Sequence, residues 1–244
     1  RYRRIDNLDI ARVVLPIIGE MDGARFESCE ITDDRMYLKV VNPRLQAEVV
    51  PGDIVQAGIM ISNSETGLGA VNIQPLIYRL VCSNGMVVNE AGTRRAHIGR
   101  VNTTDVNFAL YSQQTLDAED RAFVLKIQDT VRAAVDEARF STVLDRMRES
   151  KQAQLNTQDL PGLVKLAGSS FGILEEEGKG VLQHLIEAGD FTLYGLANAV
   201  TRFSQDVESY DRATKLEEIG YSVMTMSPLL FQKINQTQVT KLAA

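Results

Sequence analysis

Four arginines and one histidine in the middle of the chain are the residues best suited to chemistry with an anion. Arg79 interrupts the apolar run Leu76-Ile-Tyr-Arg-Leu-Val81, and Arg94, Arg95, His97 and Arg100 follow within a short stretch. A guanidinium presents a planar fork of donors that matches the oxygens of a phosphate. If residues 94–97 are extended, alternation places Arg95 and His97 on one face and Arg94 on the other. Two readings of this strip stand open: a phosphate-gripping surface, or a solvated edge strand kept from aggregating by its charge. Arg79 also has two. A charge inside an apolar strand needs a carboxylate partner or a functional groove to face.

Other chemistry fails on residue type or spacing. His97 and His184 are the only histidines, and neither has another His or Cys at a zinc-binding interval. Gly67-Leu-Gly69-Ala-Val-Asn72 lacks the third glycine of a dinucleotide fingerprint. Gly172–Gly180 lacks the hydroxyl residue of a phosphate loop and carries Glu175-Glu176-Glu177, which repel phosphate. No serine sits in a nucleophile elbow. No catalytic residue, metal ligand or cofactor is therefore assigned, and the chain is not expected to be an enzyme. A metal-dependent nuclease survives only if distant carboxylates converge on folding.

The positioning elements follow from pattern. Asn7–Met21 has apolar residues at helical spacing, with Asn7 or Asp9 as its cap. From Ala24 to about Ile98, β-favouring runs are separated by Asp33-Asp34, Asn42-Pro43, Pro51-Gly52-Asp53 and Asn84-Gly85, which predict turns. Val55, Ala57, Ile59 and Ile61 alternate with less apolar residues, as in a strand with one buried face. Asn84-Gly85 predicts a two-residue hairpin turn. Beyond Asp117 the spacing of Val124, Ile127, Val131, Ala134 and Ala138 predicts one helix of about 30 residues, roughly 45 Å long, ending near Glu149. Gln152–Gln158 reads as a polar connector. Shorter helices are expected at 160–166, 177–188, 193–203, 210–219 and 227–235, with Gly189, Gly220 and Pro228 as stops or starts. The fold class is α+β: an N-terminal, mostly antiparallel sheet of hairpins over 1–116, packed with a long helix and a helical region over 117–244, as one structural unit.

Bulk numbers agree with a folded protein. Of the 244 residues, 44% are apolar and 24% charged, which is the globular balance and excludes an intrinsically disordered chain. The net charge of −6 argues against a uniformly basic nucleic-acid coat. Charge is uneven, however. Residues 66–104 hold four arginines against Glu90, whereas residues 117–244 hold 14 basic and 19 acidic side chains. Cys29 and Cys82 lie in strand-like runs and are expected as buried thiols in a reducing compartment. No apolar run reaches membrane-spanning length, so the chain is read as cytoplasmic.

Pro75-Leu-Ile-Tyr-Arg79-Leu-Val-Cys82-Ser-Asn84-Gly85-Met, followed by Arg94-Arg95-Ala-His97-Ile-Gly99, resembles a signature block of the phage/plasmid-like family of unknown function. Leu193-Tyr-Gly-Leu-Ala-Asn198-Ala-Val-Thr-Arg202 is similar to that family's C-terminal helix signature, which Tyr210-Asp-Arg-Ala213 extends. The resemblance implies a mobile-element origin and supplies no reaction. Cys82, Asn84, Gly85, Asn198 and Arg202 enter as signature positions with structural roles, Asn198 and Arg202 as links between helix and sheet. In outline, hairpins backed by long helices with an arginine-lined strand are also similar to single-strand annealing recombination proteins. The expected function is that of a homo-oligomeric, single-stranded DNA-binding accessory with Arg79, Arg94, Arg95, His97 and Arg100 at the phosphates. Tyr78 and Phe108 are the only nearby aromatics for base stacking. The alternative is a protein-interaction module, with a phage or host protein as partner and acidic helices as its surface.

Overall fold

The structure is a computed structural model that describes residues 6–66, 70–89, 93–96, 112–156 and 158–236. Among the described residues, six strands and eight α-helices follow one another in the α+β order expected: α1 (Asn7–Glu20), β1 (Arg25–Ile31), β2 (Met36–Glu48), β3 (Ile54–Asn63), β4 (Ala70–Arg79), β5 (Asn84–Val87), β6 (Thr93–Ala96), α2 (Gln113–Ala134), α3 (Glu137–Gln152), α4 (Leu160–Phe171), α5 (Glu175–Ala188), α6 (Leu193–Phe203), α7 (Tyr210–Met224) and α8 (Pro228–Asn235). The strand order is β1-β2-β3-β4-β5, with β6 paired to β4. β1 runs antiparallel to β2, and β6 antiparallel to β4.

Two compact units divide the chain, one of Arg1–Gln46, Gln56–Leu76 and Glu90–Arg139, the other of Ala47–Val55, Ile77–Asn89 and Phe140–Ala244. In the first, Ile10, Val14, Ile17 and Ile18 of α1 join Met36, Leu38 and Val40 of β2, Ile59 and Ile61 of β3, Val71 and Ile73 of β4, and Phe123, Ile127, Val131 and Ala134 of α2 in one core. The strand residues alternate because only one sheet face meets these helices. α1 starts from Asp6, not from Asn7 or Asp9, and Asp6 makes no side-chain cap bond. Pro16 lies inside α1 without ending it. The bond it forfeits is to the carbonyl of Arg12, and both residues are solvent-exposed, so water can replace it.

In the second unit α6 is central, packed by α5, α7 and β5. Leu193 through Thr201 are all buried, Tyr194 and Asn198 included. Neighbouring elements therefore enclose this helix. Thr192 caps α6, its hydroxyl accepting from Gly195 N–H at 3.0 Å. Gly189 ends α5 at φ 64°, and Pro228 opens α8.

Several expectations are corrected. Asn42-Pro43 is no turn, since β2 runs unbroken through it. Asn84-Gly85 opens β5 instead of forming the hairpin turn. The turn falls earlier, with Ser83 at φ 51°. The long helix is two: α2 stops at Ala134, and Asp136 starts α3 by accepting from Arg139 N–H at 3.0 Å, an N-cap geometry that outweighs the continuous apolar spacing. α7 continues through Gly220, where a Cβ would collide with Thr201 Cγ2 of α6; that glycine serves close helix packing. Neither cysteine is buried. Cys29 is exposed on β1, a terminal strand of the order, and Cys82 is half-buried in the β4–β5 turn.

Candidate functional site

Arg79 ends β4, and its guanidinium meets a carboxylate presented by the β2–β3 turn. That turn is closed by Val49 N–H to Asp53 O at 3.0 Å and Asp53 N–H to Val50 O at 2.9 Å, and Gly52 supplies the positive φ of 84° it requires. Asp53 is thereby held beside the end of β4, where Leu80 N–H bonds Ile54 O at 3.0 Å. Arg79 Nε donates to Asp53 Oδ1 at 2.6 Å and Nη2 to Oδ2 at 2.8 Å. Tyr194 of α6 donates its hydroxyl to the same Oδ2 at 2.9 Å. Arg79 Nη1 also lies 3.3 Å from Cys82 Sγ.

Tyr194 lies between two cations. Arg79 Cζ is 5.6 Å from the ring centroid and Lys151 Nζ 5.8 Å, and Lys151 pairs with Asp190 at 2.7 Å. Burial pushes the Tyr194 phenol above its ordinary value, opposed by the positive Arg79 and assisted by Asp53. For Arg79 burial works against the charge, yet the Asp53 hydrogen bond and the surrounding electrostatics outweigh it and hold the guanidinium further protonated. Of the two readings of Arg79, the carboxylate partner is the one present. The group is a clasp that joins a strand end, a turn and a helix, and both oxygens of Asp53 are engaged within it.

The signature positions surround this clasp. Asn84, 3% exposed, donates through Nδ2 to Thr201 Oγ1 of α6. Asn198 stays within α6, its Nδ2 donating to Tyr194 O at 2.9 Å; the helix-to-strand link expected of it is made by Thr201. Arg202 donates to Gln205 Oε1, and Gln205 Nε2 in turn donates to Cys82 O at 3.1 Å and Ser83 O at 2.6 Å. Arg202 therefore reaches the β4–β5 turn through one intermediary. Gly85 is buried in β5. Asp53, Tyr194, Lys151, Thr201 and Gln205 were not among the predicted site residues. Only Asp53 left a trace, as a carboxylate in a predicted turn at a strand end.

The basic strip lies in the first unit. Arg94 and Arg95 belong to β6, with Arg94 opposite Asn72 and Arg95 opposite Val71. Asn72 is half-buried, whereas Val71 is a core residue. His97, Arg100 and Phe108 fall outside the described residues, and Tyr78 is buried at 7% exposure, which withholds it as a stacking platform. His184 bonds Asp206 through Nε2 at 2.6 Å and packs on Phe203. Among the described residues no group of three or more His, Cys, Asp or Glu side chains could hold a metal ion, and no helix is long and apolar enough to cross a membrane.

A family model covers residues 1–228. The chain belongs to the family described as a domain of unknown function, DUF932. Both signature blocks, with the clasp and the β6 arginines, fall inside the DUF932 match, and its description names no reaction, ligand or origin. Comparison of this DUF932 chain with curated proteins and with solved structures gives no match.

Proposed function

We propose that this chain is a nucleic-acid-binding protein of a phage, prophage or plasmid, a homo-oligomeric accessory that holds single-stranded DNA during annealing or recombination. The observation that carries the reading is the pair Arg94-Arg95 on β6, in a stretch that continues to His97 and Arg100 and has Glu90 as its only acid between residues 66 and 104. Guanidinium forks match phosphate oxygens bidentately, and this part of the chain is locally basic. Arg79, clasped by Asp53, supports the sheet and leaves phosphate contact to the others. With Tyr78 buried, the grip is on the backbone of the nucleic acid, and weak sequence preference follows. Short fluorescent single and double strands titrated at low salt test the reading. Single strands should bind, and Arg94→Ala/Arg95→Ala should bind at least about tenfold more weakly with its fold intact, each lost phosphate contact also flattening the salt dependence. Equal binding by wild type and variant would contradict it. No binding at low salt would favour a protein-interaction module, a reading to which the acidic balance of residues 117–244 points.

A further inference from the structure

α1 buries one side and leaves the opposite side uncovered. Ile10, Val14, Ile17 and Ile18 enter the core, while Leu8 and Leu15 are 58% and 44% exposed. At 100° per residue these two leucines, seven apart, lie near one line, roughly 125° around the helix from the mean direction of the core-facing residues. Ala11 flanks that line on one side, Arg12 and Asp9 on the other. Arg12 and Asp9 are 69% and 62% exposed and stand only 3.9 Å apart within the helix, at the limit of an ion pair.

This arrangement is self-complementary under a two-fold axis. Setting α1 antiparallel to a copy of itself, with the axis between Ala11 and Arg12, brings Leu8 of one chain against Leu15 of the other. The same operation keeps each flank on its own side, so the small Ala11 residues meet on one side. On the other, Arg12 of each chain comes within a turn of the partner's Asp9. An isologous contact requires one patch to match itself in this way. We infer that α1 is a homodimer interface, with Leu8 and Leu15 as its apolar seam and Asp9 and Arg12 as its interchain charge pair. The contact is small. A 14-residue helix is about 21 Å long, and one helix pair falls below the roughly 1,200 Å² of a standard interface. The dimer is therefore weak and concentration-dependent, with a dissociation constant between about 1 µM and 1 mM.

The inference stands apart from the nucleic-acid reading, because its test contains no nucleic acid. Sedimentation of the full chain from micromolar to near-millimolar concentration should show the mass rising from 27.0 kDa toward twice that value. Leu8→Glu/Leu15→Glu should stay monomeric throughout, with unchanged circular dichroism. Asp9→Arg alone makes the charged flank wholly positive, and Arg12→Asp alone makes it wholly negative. Each should be monomeric, whereas a mixture of the two should form a heterodimer. Wild type that remains monomeric, a leucine variant that still dimerises, or charge variants that fail to associate when mixed would overturn the inference.

Discussion

Arg79 holds both carboxylate oxygens of Asp53, 26 positions earlier in the chain, while Tyr194 of α6 donates to one of the same oxygens. The Arg79 and Asp53 side chains are 18% and 8% exposed, so each needs the other more than either needs water. Removing one partner strands the second charge. Arg79→Ala or Asp53→Ala should each cost about 3 kcal/mol in urea unfolding, and the double variant should cost clearly less than their sum. Additive losses would dissolve the clasp as a unit.

Tyr194 gives the clasp an alkaline signature. Its phenol is held above the ordinary value of 10.0, chiefly by burial. A raised folded pKa means its stabilisation is complete below the unfolded pKa, near 10, and is lost as pH rises through the folded value. Ultraviolet titration should show a late-ionising component that is smaller by one tyrosine in Tyr194→Phe than in wild type. A Tyr194→Phe titration curve with the same late component would refute the assignment.

On the acid side, the pair to watch is Glu177 and Arg212. Arg212 Nε and Nη2 donate to Glu177 at 2.7 and 2.6 Å, and Leu174 N–H donates at 2.8 Å. The Arg212 hydrogen bond, offset in part by burial, lowers the Glu177 carboxyl below its ordinary 4.5. Stability from this group is present above that ordinary value and fades as pH falls through the lowered one. Arg212→Gln should lose the most stability relative to wild type near neutrality, and the difference should narrow as pH falls through the lowered Glu177 value.

Gly220 and Thr201 test the packing of α7 on α6. Gly220→Ala pushes a methyl onto Thr201 Cγ2, and overpacking of this kind costs roughly 1–3 kcal/mol. Thr201→Ser removes that methyl yet keeps the hydroxyl that Asn84 contacts. The double variant should therefore recover most of the loss, as read by thermal unfolding.

The sequence made element types legible where one physical signal acted alone. β3 lies where its alternation placed it, although both of its faces are buried and not one, and Gly189 ends a helix as expected. Elsewhere two signals competed and tertiary structure chose. Asn84-Gly85 has turn chemistry, but the Asn84 amide is better used against Thr201 inside the fold, and Gln205 can hold the carbonyls of Cys82 and Ser83 in an earlier turn. Gly220 looks like a helix stop and is a packing glycine. Asp136 could cap a helix, yet the apolar spacing ran straight across it. The clasp was half legible: Arg79 announced a buried charge, but nothing local in the chain says which of many carboxylates answers it.

The central claim, phosphate contact by β6, is tested most directly by the salt dependence of single-strand affinity. Plotted as log K against log salt, wild type should give a negative slope. Arg94→Ala/Arg95→Ala should give a slope shallower by about 1.4, or about 0.7 for each phosphate contact removed, with thermal stability unchanged. Parallel slopes, or affinity insensitive to salt, would contradict the account.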